Sequence, residues 1–338
     1  MSQPRDHGGG LDAAVARWGG ERADWIDLST GINPVPYPVG EISPEAWTAL
    51  PDNRAMERLL QAARTFWNVP EGAEVVAANG ASAIISAMPR MRAFDLVYIP
   101  GPTYNEHAAA FELAEWIVLD KPSVEARAQV FVHPNNPDGR LADPQVVGNR
   151  AWTIVDESFC DVMPEASFVA RTDEPGVMVL KSLGKFWGLA GLRLGFAIGH
   201  PKTLHDRGQS QLERWFGKGK PVTVSYENPA LADLLGPWSV SGPALEVGAR
   251  ALADRPWAAA TRARLAADAV RLDRLMARHG QLLGGTDLFR LYAVEDALAF
   301  QAGLAERHIW SRVFPYSETW LRLGLPAPHQ WERLEAAL

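Results

Sequence analysis

Cysteine is almost missing from this chain: Cys160 stands alone among 338 residues. One thiol allows no internal disulfide and no cysteine metal site, which suits a reducing cytoplasm, and such a residue reads first as a small buried hydrophobe. No metal site is read from the sequence. Basic runs are also missing. Lys and Arg number 33 against 40 Asp and Glu, for a formal charge of -7 and a pI near 5.7, so neither a nucleic-acid surface nor a polybasic membrane anchor is expected. No stretch approaches the roughly 18 apolar residues of a membrane span. The opening MSQPRDHGGGLDAA has no apolar core of a signal peptide, and a soluble, cytoplasmic protein is expected. What the chain does have is apolar material, 47%, enough for one large or two medium domains.

From about residue 55 the hydrophobic period alternates. MERLLQAARTFW sets Met56, Leu59, Leu60, Ala63 and Trp67 on one helical stripe. Short apolar runs follow at 74–78, 96–100, 116–119, 129–133, 152–156, 177–182 and 193–199, separated by loops or helical patterns. Strands buried on both faces have this texture, so an α/β domain with a mostly parallel sheet is predicted over 45–235. Residues 236–338 read as a smaller α+β domain, with a helix through PWAAATRARLAADAVRLDRLM and strands in DLFRLYAV, HIWSRVF and TWLRLGL. The first 44 residues, with INPVPYPVG, read as an extended arm lying on another surface.

The chemistry centres on SLGKFWGLAGLRLG, residues 182–195. Lys185 sits alone among apolar residues, where desolvation lowers an amine's pKa and makes it a nucleophile. Ser182 and Arg193 flank it and can reach one phosphate. Upstream, Gly80, Ala81 and Ser82 open a helix after a strand, and a helix start offers N–H groups to an anion. Asp156 ends the strand WTIVD, where ligands of open α/β sheets collect, and a buried carboxylate there requires a cation. Asn136 in HPNNPDG can donate to a phenolic oxygen, and Tyr104 in PGPTYNEH offers a flat face. An amine, a carboxylate for a pyridinium, a phosphate cup and a stacking ring together suit pyridoxal 5'-phosphate (PLP).

The ordered motifs NGAS, GPTY, NNPDG, DESF and SLGKFWGLAGLRLG resemble those of fold-type I PLP-dependent enzymes of the aminotransferase class I/II family, which includes aspartate and histidinol-phosphate aminotransferases. The resemblance spans about 27–323. It implies that Lys185 forms the internal aldimine, Asp156 pairs with the ring nitrogen, Asn136 holds the ring oxygen and Tyr104 stacks. Ser182, Arg193 and the 80–82 turn would bind the phosphate. Where many relatives have DE-A-Y, this chain has DESF, so Phe159 donates no hydrogen bond.

His7, Gly8 and Gly9, with LSTGINPVPYP at 28–38, are similar to the N-terminal arm of the threonine-phosphate decarboxylases of cobalamin biosynthesis. That resemblance implies decarboxylation of L-threonine O-3-phosphate, a small phosphorylated amino acid. A histidinol-phosphate-type transamination is the alternative. Arg312 and Arg322 match the family's substrate-binding arginines, and His7, Gly8 and Asn33 would hold the substrate phosphate. Guanidinium forks suit carboxylate and phosphate alike, so which arginine takes which stays open. The family also implies a homodimer. Two features depart from it: Leu50 stands where histidinol-phosphate enzymes often have tyrosine, and the stretch 206–228 matches nothing. That stretch reads as a surface insertion before a lid.

Overall fold

The computed structural model describes residues 7–93, 96–205, 209–214, 222–227 and 229–338. Its centre is a seven-stranded sheet in the order Glu74–Ala78, Gly195–Gly199, Val177–Ser182, Trp152–Asp156, Ala128–Val132, Leu96–Tyr98, Ile117–Leu119. Gly195–Gly199 runs antiparallel to both its neighbours, and the remaining pairs are parallel. Every residue of Ala128–Val132 and Trp152–Asp156 is buried, which explains their unbroken apolar runs. Alternation sends Val155, Val179 and Ile198 into a core rich in aromatic rings on one face. It sends Ile154, Met178 and Ala197 into a second core on the other. The expected α/β architecture is the one found.

The helix foreseen around Met56 runs from Asn53 to Trp67, with the Asp52 carboxylate accepting from Ala55 N at its start and Asn68 left-handed at its end. Helix Gly242–Ala253 packs on it, and Gly248 fits because a Cβ there would lie 2.9 Å from Leu59. Helix Arg255–Met276 then leads to a four-stranded antiparallel sheet, in the order Gln281–Thr286, Phe289–Ala293, Ser317–Gly324, Arg312–Phe314. The first of these strands was not foreseen. QLLGGT carries two glycines, which weaken a strand signal. Here they let the strand approach another backbone, since a Cβ on Gly284 would run into the carbonyl of Asp138.

The N-terminal arm is not extended throughout. Leu11–Trp18 is a helix, and Ile26–Asp27 pairs in parallel with Ile309–Trp310 of the same chain. LDAAVARW has its apolar residues at helical spacing, and Leu11 and Ala14 pack with Trp25 and Ala305. From 28 to 43 the arm has no regular element. Of the unmatched stretch, Gln209–Arg214 and Val222–Glu227 form an antiparallel ribbon; its reading as insertion or lid lies outside the described residues.

Behind the sheet's C-terminal rim, a lysine that drew no attention as sequence is buried among carboxylates. Lys181 Nζ lies 2.6 Å from Glu157 Oε2 and 3.4 Å from Asp161 Oδ1. Burial works to lower its pKa, but Glu157 and Asp161 raise it overall. Glu157 also accepts from Ser167 Oγ and Phe168 N, and Asp161 from the indoles of Trp67 and Trp187. Removing the cation would leave both carboxylates buried and unpaired. Lys181→Ala is expected to lose about 3–5 kcal/mol of stability, read by denaturant unfolding of the apoprotein, and an unchanged midpoint would refute the assigned coupling.

Candidate active site

Asp156 and Ser182 sit at the C-terminal ends of adjacent strands, and Asn136 and the Gly80 turn follow two others. Strand ends therefore bring four distant motifs to one rim. Asn135 fastens the loops there: its Oδ1 accepts from Thr103 Oγ1, and its Nδ2 donates to Pro102 O and Asp138 Oδ1. The result is a cavity of about 200 Å³ lined by Ala81, Ser82, Tyr104, Asn136, Asp156, Phe159, Ser182, Lys185 and Arg193.

At one end the Arg193 guanidinium covers the Gly80 turn. Gly80 has φ 81°, and a Cβ on it would lie 2.7 Å from Arg193 Nη2. Arg193 is itself left-handed, φ 53°, a conformation uncommon outside glycine. Ser182 lies at the same end, its Oγ accepting from Gly184 N. A cation, hydroxyls of Ser82 and Ser182, and a helix start thus converge.

Asp156 lines the cavity and is 3% exposed. Its partners are already in the protein: His107 Nε2 lies 2.8 Å from Oδ2, while Ser158 N and Oγ donate to Oδ1. His107 is fully buried, and among the described residues its Nδ1 has no hydrogen-bond partner, so its hydrogen bond is made at Nε2. Burial would raise the Asp156 pKa, but His107 and Ser158 outweigh it and hold the carboxyl below its ordinary value. Sequence reading missed His107. The signal was its position three residues after Tyr104, which opens the helix Asn105–Leu113.

Lys185 sits midway. Burial pushes its amine down to about 8, Arg322 and Arg193 act in the same direction, and Asp156 opposes them. Its Nζ lies 5.3 Å from the centre of the Phe159 ring, which packs edge-on against Phe289. Gly31 fits only because it lacks a side chain: a Cβ would come within 2.8 Å of both phenyl rings. Phe159 is therefore a wall of the cavity, with a ring and not a hydroxyl at this position.

A second cavity, of about 220 Å³, shares Tyr104 and Asn136 with the first and adds His7, Gly8, Arg312 and Arg322. Arg312 and Arg322 are directly opposed on antiparallel strands. Both line this cavity, and guanidinium forks suit an anionic group. Arg322 donates to Ser29 O and to Asn136 Oδ1, which fixes the amide of Asn136. His7 Nε2 lies 3.0 Å from Glu106 Oε1. Asn33 lines neither cavity; its side chain is buried against the Lys185 loop, bonded to Phe186 O and Arg264.

These groups fit PLP: a nucleophilic amine, a carboxylate held ionised, a flat tyrosine and a cationic, hydroxyl-lined end. Because the Asp156 pKa is depressed, the stability it contributes is present above the ordinary carboxylate range and is lost as pH falls through the depressed value. His107→Leu raises that value and moves the loss to higher pH. A hydrogen bond to a charged group is worth about 1.5–3 kcal/mol, so PLP affinity of the apoprotein is expected to fall about tenfold or more. Equilibrium titration with PLP checks this, and an affinity within about twofold of the unsubstituted chain would contradict it.

Comparison with known proteins agrees. The family model "Aminotransferase class I and II" matches residues 24–338. A threonine-phosphate decarboxylase of Pseudomonas aeruginosa is 38% identical, over 98% of this chain and 97% of that protein. One from Sinorhizobium sp is 35% identical, over 96% and 94%. Among solved structures, histidinol-phosphate aminotransferase of Sinorhizobium meliloti in complex with pyridoxal-5'-phosphate superposes with a TM-score of 0.75 at 15% identity, covering 100% of this chain and 94% of that one. The chain belongs to the aminotransferase class I and II family.

Proposed function

We propose that this protein is a PLP-dependent carboxy-lyase that converts L-threonine O-3-phosphate into (R)-1-amino-2-propanol O-2-phosphate and CO2 in cobalamin biosynthesis. The observation that carries the reading is the pairing of cavities. A chamber with Lys185 and Asp156 opens beside one with Arg312, Arg322 and His7, and Tyr104 and Asn136 belong to both. Near-full-length identity to two threonine-phosphate decarboxylases points the same way.

In this reading Lys185 carries the cofactor and Tyr104 stacks on its ring. Asp156, held ionised by His107, faces the ring nitrogen, and Asn136 donates to the ring oxygen. Ser182, Arg193 and the Gly80–Ser82 turn hold the phosphate. Bound PLP supplies an electron sink for the bond at Cα that stands perpendicular to its ring. Which bond breaks is decided by how the protein grips the substrate's two anionic ends, and Arg312, Arg322 and His7, with Gly8, supply that grip. Asn33 acts through the arm and the loop beneath it. When the Cα–carboxylate bond breaks, CO2 leaves and Cα needs one proton. Lys185, whose amine lines the same cavity, is the group that would deliver it.

The same reading includes a homodimer and a cytoplasmic setting. Trp47 and Leu50 are 68% and 70% exposed, and Leu50 borders a groove between helices Asn53–Trp67 and Gly242–Ala253. Two large apolar side chains left in water suit a covered face. Among the described residues, no helix is long and apolar enough to cross a membrane.

The PLP-loaded protein is expected to release CO2 from threonine phosphate with no 2-oxoacid present, and Lys185→Ala to abolish the release. Arg322→Ala is expected to cost about 2–5 kcal/mol in kcat/KM, the scale of truncating one partner of a buried charge pair. Transamination of histidinol phosphate with 2-oxoglutarate, and no CO2 from threonine phosphate, would reject the decarboxylase in favour of the aminotransferase.

A further inference from the structure

The backbone around Lys185 is held by the arm. Asn33 N donates to Lys185 O at 3.0 Å, Asn33 Nδ2 to Phe186 O at 2.9 Å, and Tyr37 N to Trp187 O at 2.9 Å. Three consecutive carbonyls of the loop are thus taken by one segment. Asn33 is 2% exposed, and its Oδ1 accepts from Arg264 Nη2 at 2.6 Å and from Val35 N at 3.0 Å. Arg264 belongs to helix Arg255–Met276, and Asp268, one turn on, lies 3.2 Å from its Nη1.

An asparagine amide is nearly symmetric in shape but not in chemistry, so its orientation is set by which partners it meets. A charged donor on Oδ1 is the strongest such constraint here, because charge-assisted hydrogen bonds are roughly twice as strong as neutral ones. With Oδ1 committed to Arg264, Nδ2 must face the carbonyl of Phe186. We propose that Arg264 is a positioning residue for Lys185, acting through the buried Asn33, whose backbone N–H grips the carbonyl of Lys185 and whose side-chain amide grips that of Phe186. Arg262 braces the other side of the loop: its Nε donates to Asp161 O, and Asp161 Oδ2 accepts from Trp187 Nε1. Gly188 N also donates to Lys185 O, so the loop keeps its turn when the Asn33 contact weakens. The loss expected is of precision in placing the amine, with the fold retained.

This inference rests on Lys185 carrying PLP and is independent of the substrate. It is tested on apoprotein by following covalent capture of added PLP through its visible absorbance across pH, with thermal melting in parallel. In the unsubstituted chain the midpoint of capture is expected near 8. Arg264→Met is expected to raise it by about half a pH unit or more, because a looser loop hydrates the amine better. Arg264→Lys should give a smaller rise, and Asp268→Ala none. A midpoint unchanged in Arg264→Met overturns the proposal even if the melting temperature falls, since the contact would then be structural only. If Arg264→Met does not fold, an unchanged midpoint in Arg264→Lys overturns it equally. Failure of the unsubstituted chain to capture PLP would remove the cofactor assignment and this inference together. Capture without decarboxylation of threonine phosphate would remove only the substrate.

Discussion

The site depends on keeping one amine nucleophilic among cations. Lys185 stands with Arg193 on one side and Arg322 on the other, and burial adds to their effect, so the ammonium form is disfavoured. That arrangement lasts only if the surrounding charges are fixed in place. Arg322 is anchored to Ser29 O and Asn136 Oδ1. Arg193 lies over Gly80, where an added Cβ would meet its guanidinium. Asp156 is the counterweight, and it stays ionised while 97% buried because His107 and Ser158 satisfy both its oxygens.

The fold serves that constraint by placing strand ends. A mostly parallel sheet aligns its C-terminal edges, so residues far apart in sequence arrive at one rim. Behind the rim, the buried group of Lys181, Glu157 and Asp161 joins the two central strands, and its Trp187 contact reaches the Lys185 loop from below. Asn33 reaches the same loop from above. A nucleophile on a loop is thereby held nearly as firmly as one on a strand.

Much of this was legible in the sequence for a specific reason. Lys185, Asp156, Tyr104 and Ser182 lie in local patterns, a strand followed by a turn, and such patterns survive without knowledge of tertiary contacts. His107 was invisible because its meaning lies in a contact to a residue 49 positions away. Lys181 was overlooked for a similar reason: an internal strand lysine gains its identity from carboxylates on neighbouring elements. Leu11–Trp18 was read as part of an extended arm because Gly and Pro on both sides of it outweighed a short helical stripe. Asn33 was read toward a ligand, whereas the structure places its side chain between the arm, the loop and Arg264. An asparagine's polarity advertises a partner without saying whether that partner is protein or substrate.

Charge gives the argument its direction. The chain is acidic overall, at -7, so its net field does not attract anionic ligands. The two joined cavities invert that sign locally, with Arg193, Arg312 and Arg322 in their walls and Asp156 as the carboxylate among their lining residues. Low-dielectric walls strengthen such a field and shield it from salt, so the preference for an anionic ligand is set by these walls and not at long range. Opposed in register on adjacent strands, Arg312 and Arg322 bring two guanidinium groups to one cavity wall, and such forks suit an anionic group.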